Sequence, residues 1–486
     1  MKFVRLFDPL LSVLFEDDDI VAIDKPYGFN AHTNDSKIEH SDFIQDGLIE
    51  IYEKNLGQKL HIIHRLDQTT TGVMIFGKSQ ASAKKYAEFF FDRKVKKTYW
   101  FITKHTSTQN QYHIDQIIIH KGKDLDANTD LNLVKKSDGF ELWQAEPHTG
   151  RNHQIRIHAQ AAGIPILGDP KYDGIDYPFL CLHNCKIEFP NGLILESKPP
   201  AYFENLSLLK NSQSVQIVFE ADRRQRLFSK ADKDQCYRLV HHKNKFKNSD
   251  FTLDQYGQHQ ISQPPSTNHS EQIPAWIAVD NGLKFKLQLD SKNNVGLFTN
   301  QRLQRNWVQQ YSNMKKVLNL FAYKGSYSIA AAKGLAAQVT SVDLSKSHLN
   351  ASRENFELNQ LPQENHLFLL RDSFSYIQQC QLKNNKFDLI ICDTPAFYRR
   401  EKGVFKIEDQ IESLLESCLS CLDINGTFLF STTADDLFID TIRNAIAKVQ
   451  KKMSLENLEI SCLLPSVDFE LPDEKVNLKS FLIQKK

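Results

Sequence analysis

The chain has no run approaching the roughly 18 apolar residues that a membrane helix needs, so no membrane span is expected. Cysteine is sparse, eight in 486 residues without regular spacing. That excludes a disulfide-built secreted scaffold and suits a reducing cytoplasm. Neither sign of charge dominates: 60 Lys and Arg stand against 59 Asp and Glu, a net of +1. A blanket basic surface is thereby excluded, although a local patch such as Arg93, Lys94, Lys96 and Lys97 in "FDRKVKKTYW" remains available to a polyanion. The opening "LFDPLLSVLFEDDD" is broken by Pro9 and followed by acids, which argues against a secretory leader. There is no internal repeat. The pairs Cys181/Cys185 and Cys418/Cys421 raise the question of a metal. However, "CLSC" lies inside the amphipathic "IEDQIESLLESCLSCL", where small apolar thiols fit a packed face, and no metal site is assigned.

What is present is a globular composition, 41% hydrophobic and 24% charged, in a chain too long for one ordinary core. Two textures follow one another. From about residue 15 to 205, short strand-like pieces such as "DIVAIDKPYG", "TGVMIFGKS" and "KKTYWFITKH" read as a mainly antiparallel sheet with a few helices. From about residue 315, strands and helices alternate ("KVLNLF", "SYSIAAAKGLA", "QVTSVD"), which indicates a parallel sheet covered on both faces. The expected fold is therefore α+β followed by a doubly wound, Rossmann-like α/β domain. Its divisions are residues 1–210, a linker at 211–224, a small helix and β-hairpin region at 225–300, and 301–486. "YGQHQISQPPSTNHSEQIP" reads as a polar loop.

Within "LHIIHRLDQTTTGVMIF", charged Arg65 and Asp67 interrupt a strand-like apolar pattern, and charged groups are rarely buried unpaired. In "PHTGRNHQIRIHAQ", Arg151, His153, Gln154, Arg156 and His158 follow a strand-like alternation that lines up polar groups for an anionic ligand. With "IVAIDKPYGFNAH" and "KKTYW", in this order and spacing, these segments resemble the RluA-type pseudouridine synthases over about residues 15–205. The resemblance implies cofactor-free isomerisation of uridine in structured RNA. It makes Asp67 the nucleophile, Arg156 its partner and Tyr99 the residue against the target base. Arg65 enters the space vacated by the flipped base, and Arg151 and His153 contact RNA. The small N-terminal RNA-binding domain that many relatives carry is not expected before residue 15.

In the second half, Asp343, Asp372 and Asp393 end three successive strands, on the edge where open α/β sheets bind ligands. One such Asp is often a helix cap; three favour a nucleoside-containing ligand. The dinucleotide fingerprint is incomplete, since only Gly325 of its glycines is present. "NGLKFKLQLDSKNNVGLFTNQR", "VLNLFAYKGSYSIAAA", "SVDLSKSHLNASRENFELNQL" and "FDLIICDTPAF" resemble class I S-adenosylmethionine-dependent methyltransferases, within them the RlmK and RlmI group, over about residues 225–450. That resemblance implies S-adenosyl-L-methionine as cofactor. Phe321 and Gly325 would lie at its methionine end, Asp343 at the ribose, Asp372 at the adenine edge and Asp393 at the methyl-transfer site. The chain departs from the pattern at Thr394, Asn300 and Lys324.

Two readings stay open. In one, the protein is a monomeric, cytoplasmic, bifunctional enzyme of RNA, with ribosomal RNA preferred as its substrate. In the other, the second half docks RNA without turnover, as its three departures suggest. Methylation at guanine N7 is preferred over pyrimidine C5, because C5 attack needs an activating cysteine and "FSTTADD" lacks one after the fifth strand.

Overall fold

The computed structural model describes residues 1–33, 46–120, 122–228, 230–231, 233–244, 249–263, 273–290, 294–399, 403–455, 457–469 and 478–486. A ten-stranded sheet forms the first domain. Its path runs Phe15–Glu16, Ile20–Lys25, Thr71–Gly77, Leu182–Glu188, Lys96–Thr103, Phe140–Pro147, Lys123–Ser137, Gln111–His120. Neighbours are antiparallel except Leu182–Glu188 against Thr71–Gly77. Strands Ile20–Lys25 and Thr71–Gly77 are buried along their whole length: apolar Ile20–Ile23 and Val73–Phe76 pack on both faces, and the charged Asp24 and Lys25 are buried with hydrogen-bond partners.

The second sheet has eight strands. Read from one edge it runs His366–Leu370, Gln338–Asp343, Lys316–Leu320, Phe387–Thr394 and Leu422–Thr432, all parallel. Lys479–Lys485 then inserts antiparallel between Leu422–Thr432 and Leu458–Leu463. Helices cover both faces with separate apolar clusters. Helix Ile407–Cys421 shows why: Ile407, Ile411, Leu414, Leu415 and Cys418 fall on one stripe at helical spacing, with Glu408 and Asp409 in the first turn, where the helix dipole favours acids. Cys418 and Cys421 are packed in that core. Between the two sheets lie a three-stranded sheet, Cys236–Asn244 to His259–Gln263, and the hairpin Trp276–Asp280/Leu283–Leu287.

The structure departs from the sequence reading in four places. First, strand Lys2–Val4 pairs in parallel with Ser461–Leu463, so the chain's first residues belong to the second sheet, not to the first domain. Second, the expected linker is helix Ser212–Leu227. Its arginines are buried with partners: Arg226 Nη1 donates to Asp24 (2.7 Å) and Ser197 (3.0 Å), and its Nε to Asp222 (2.7 Å). This helix completes the first domain. Third, residues 154–161 are a helix, not a strand, because the buried set Gln154, Ile155, His158 and Ala159 recurs at i, i+1, i+4, i+5. Fourth, His259–Gln263 of the expected polar loop is a strand, and 264–272 lie outside the described residues.

At the junction, the fully buried Arg302 joins three distant segments. Its Nη2 donates to Asp8 (3.0 Å) and to Asp468 (2.9 Å), and Ser466 bridges both acids, donating to Asp8 at 2.8 Å. Arg224 of the first domain donates to the Asp468 carbonyl at 2.9 Å. Burial alone would raise the Asp468 carboxyl, but the Arg302 guanidinium outweighs it and holds the group below the usual range. Breaking such a pair strands a buried charge, so Arg302→Ala should cost about 3–5 kcal/mol. Urea unfolding followed by circular dichroism measures this. A loss under about 1 kcal/mol, the size of an exposed pair, would show that the junction does not depend on Arg302.

Candidate active sites

In the first domain, Asp67 sits on the loop between strands His61–Ile62 and Thr71–Gly77, with 27% of its side chain exposed. His64 of the same segment is structural. Its Nε2 accepts the Ile75 N–H at 3.2 Å, its ring stacks on Phe90, and burial pulls its pKa down to about 3, so it stays neutral. Lys25 anchors the loop from below. It is fully buried, and its Nζ donates to the carbonyls of Pro26 (3.1 Å), Gln68 (2.9 Å) and Thr70 (2.8 Å). Burial lowers its pKa to about 7 against the opposing pull of Asp67.

Helix Gln154–Ala161 brings Arg156 to Asp67, Nη1 to Oδ2 at 3.4 Å, and His153 Nε2 lies 3.7 Å from the same oxygen. His153 caps the helix in a left-handed conformation, φ 57°. Tyr99, on the central strand Lys96–Thr103, is close enough for the charge of Asp67 to help burial raise its pKa. So Asp67, Tyr99, Arg156 and His153 are brought together. The other polar residues of the expected face are not. Arg151 donates to the Asp126 carbonyl (2.9 Å), Gln154 ties the loop to Thr149 and Thr129, and His158 is buried against Thr129. Arg65 is exposed beside the site. Sequence reasoning missed Asp169, which grips Arg156 from the other side, and Lys25, although the latter stands in the quoted "IVAIDKPYGFNAH".

In the second domain, a cavity of about 640 Å³ opens at the carboxyl ends of strands Lys316–Leu320, Gln338–Asp343 and Phe387–Thr394. Phe321, Asp343 and Asp393 line it, together with Asn300, Gln301, Tyr323, Thr394 and Phe397. Phe321 and Tyr323 hold left-handed backbones, φ 54° and 49°, which bulky residues keep only when fixed by neighbours. The Phe321 N–H donates to Ser373 Oγ (2.8 Å), and the Tyr323 N–H to Asp343 Oδ2 (2.8 Å). Asp343 Oδ1 accepts the Ser345 N–H at 2.8 Å, so this carboxylate shapes the loop as well as facing the cavity. Gly325 lies behind the wall at φ 80°, where a Cβ would meet Ser352 Oγ at 1.9 Å.

Asp372 does not line the cavity. It caps helix Ser373–Leu382 by accepting the Ser375 N–H (2.8 Å), and its second oxygen accepts the Tyr398 hydroxyl (2.6 Å), the helix-cap role common for a strand-end acid. Of the three departures from the expected pattern, Asn300 and Thr394 line the cavity. Lys324 points away, its Nζ 3.4 Å from the Val295 carbonyl. Cys392 is fully buried, and no cysteine lines the cavity.

An acid–arginine pair on an antiparallel sheet, joined to a Rossmann-like domain with a ligand-sized cavity, defines a two-domain enzyme architecture. Residues 19–161 match the family model of RNA pseudouridylate synthase, and residues 258–480 that of S-adenosylmethionine-dependent methyltransferase. The chain thus joins a domain of each family. It is 36% identical over 185 residues to ribosomal RNA large subunit methyltransferase K/L of Shewanella oneidensis, covering 38% of this chain and 25% of that protein. It is 33% identical over 169 residues to ribosomal RNA large subunit methyltransferase K of Neisseria meningitidis serogroup B, covering 34% and 48%. The chain therefore spans between a quarter and a half of these relatives. Human RNA pseudouridylate synthase domain containing 4 is similar at 26% identity over 41% of this chain and 93% of that one, with a TM-score of 0.34.

The residues present fit an S-adenosylmethionine cofactor. The cavity is of ligand size, aromatic on one side, and carries two carboxylates, Asp343 and Asp393. Burial pushes Asp393 up to about 6, against a hydrogen bond from Gln301 and the charge of Arg305. The folded carboxyl thus keeps its proton to about pH 6, while the unfolded chain releases it near 3.8. Its contribution to stability is full below the unfolded value and is lost as pH rises through about 6. Asp393→Asn, which removes the ionisation, should therefore raise the thermal midpoint relative to wild type more at pH 8 than at pH 5. An equal or opposite effect at the two pH values would contradict the placement of this carboxyl.

Proposed function

We propose that the protein is a bifunctional RNA-modifying enzyme. Its first domain isomerises uridine to pseudouridine in ribosomal RNA, and its second methylates an RNA base, guanine N7 by preference. The observation that carries the first activity is Arg156, shared between Asp67 and Asp169. A guanidinium held this way orients Asp67 through one oxygen and leaves the other for attack, which suits a carboxylate nucleophile. The reaction breaks the N1–C1′ bond and forms C5–C1′, so C5 loses a proton and N1 gains one. No redox step is involved. Tyr99 offers a ring against the flipped base and Arg65 stands at the rim to fill its place, offsetting the few kcal/mol that unstacking costs.

In the second domain, Asp343 and the loop it holds would bind the cofactor, with Phe321 beside it and Asp393 near the acceptor. When bound, S-adenosylmethionine supplies an electrophilic methyl group. A guanine ring nitrogen already carries a lone pair, so the protein's work is to position it and exclude water. The absence of a cysteine from the cavity lining supports this over pyrimidine C5 attack. A second reading, RNA docking without turnover, keeps the support of Asn300 and Thr394 but loses that of Lys324, which leaves the cavity clear.

A double dissociation tests the pair of activities. Asp67→Asn should abolish tritium release from RNA labelled at uridine C5 yet leave cofactor binding unchanged by calorimetry. Asp343→Ala should weaken cofactor binding by roughly 1.5–3 kcal/mol, the range for hydrogen bonds to a charged group, and leave tritium release intact. Tritium release by Asp67→Asn within tenfold of wild type would sink the nucleophile assignment. No cofactor binding by the wild type would favour the docking reading.

A further inference from the structure

The five residues Gly168 to Tyr172 form one turn that reaches the first site from outside the helix carrying Arg156. Gly168 turns the chain at φ 80°, where a Cβ would meet the Phe179 carbonyl oxygen at 1.9 Å, so only glycine fits. Backbone bonds then close the turn: the Tyr172 and Gly174 N–H groups donate to the Asp169 carbonyl at 3.1 and 2.9 Å, and the Gly168 N–H donates to Ile175 at 2.9 Å. Two side chains leave this rigid frame toward the site. Asp169, 1% exposed, accepts both Nε and Nη2 of Arg156, at 2.6 and 2.7 Å. Tyr172 lies against the guanidinium, 5.0 Å from ring centre to carbon, and shares a 2.8 Å hydrogen bond with His153 Nδ1.

The consequence is geometric. A two-point grip fixes the guanidinium plane, which a single contact does not. Nη1 is left facing Asp67 at 3.4 Å. Resting on the reading of Asp67 as nucleophile, we propose that Asp169 is a positioning residue for the isomerisation, acting through Arg156 to aim the Asp67 carboxylate. A buried ion pair that merely held the fold would affect how much protein is folded, not the turnover of what is. Misplacing a reacting group by about 1 Å costs on the order of a hundredfold in rate.

The test uses the full chain and a short uridine-containing RNA hairpin, with activity expressed per folded molecule by thermal unfolding. Asp169→Asn keeps the shape of the side chain but replaces one acceptor oxygen with a donor. Its kcat should fall about a hundredfold while KM stays within about twofold, and cofactor binding by the second domain should not change. Arg156→Lys, which loses the fork and keeps the charge, should show a similar loss. The double variant should be no worse than the poorer single one, because the two residues act as a unit. If Asp169→Asn does not fold, the kcat-against-KM split of Arg156→Lys decides: an unchanged kcat overturns the proposal. A kcat for folded Asp169→Asn within threefold of wild type, with Asp67→Asn inactive, also overturns it and leaves the nucleophile reading standing. Activity in Asp67→Asn would instead remove that reading, and this one with it.

Discussion

Arg302, with no surface in water, is held between two carboxylates that lie 294 residues before it and 166 after it. Charges are tolerated at such depth only when paired and fully hydrogen-bonded. That requirement fixes the junction. Asp8 must lie beside Arg302, so the chain's first strand is drawn to the far edge of the second sheet before the chain builds the first domain. Asp468 must lie there too, and its carbonyl is then available to Arg224 on the last helix of that domain. The two domains are connected by more than the chain between them.

The same bolt lies near both sites. Arg302 begins the helix that directly follows Asn300 and Gln301, which line the cavity. On the other side, the Asp8 N–H donates to Asn55 in helix Leu48–Leu56, whose first N–H donates to the Asn30 carbonyl. Two residues earlier, the Gly28 N–H donates to the Gln68 carbonyl, next to Asp67. Each site is also built on a loop whose backbone is fixed by polar side chains: Lys25 under Asp67, and Asp343 with Ser373 at the left-handed residues Tyr323 and Phe321. Rigid loops on well-ordered sheets are the setting in which a reacting group can be aimed.

Much of this was legible in the sequence because the signals are local. Short strand-like pieces bounded by turns marked the first sheet, alternation of strands and helices marked the parallel sheet, and the "HRLD" segment drew attention to Asp67, which lies beside Arg156. What was not legible depends on partners far away. Arg223 and Arg224 fall in the expected linker, and the burial of Arg224 and Arg226 follows from partners far off in sequence, the Asp468 carbonyl and Asp24. The run 151–158 contains polar residues two apart, a pattern that a strand and a helix both produce over so short a window; burial of 154, 155, 158 and 159 decides for the helix. Asp372 occupies a strand end like Asp343 and Asp393, and only its bonds to Ser375 and Tyr398 reveal a cap. No spacing rule ties Asp169 to an arginine 13 residues earlier across a turn.

We propose that one chain carries out two modifications of the same class of RNA. Modified nucleotides of ribosomal RNA can be mapped in cells lacking this chain and compared with the parent cells. One or more pseudouridines and a methylated guanine should disappear together, and both should return when the intact chain is supplied. Ribosomal RNA that keeps every pseudouridine and every methylated base in those cells would contradict the proposal.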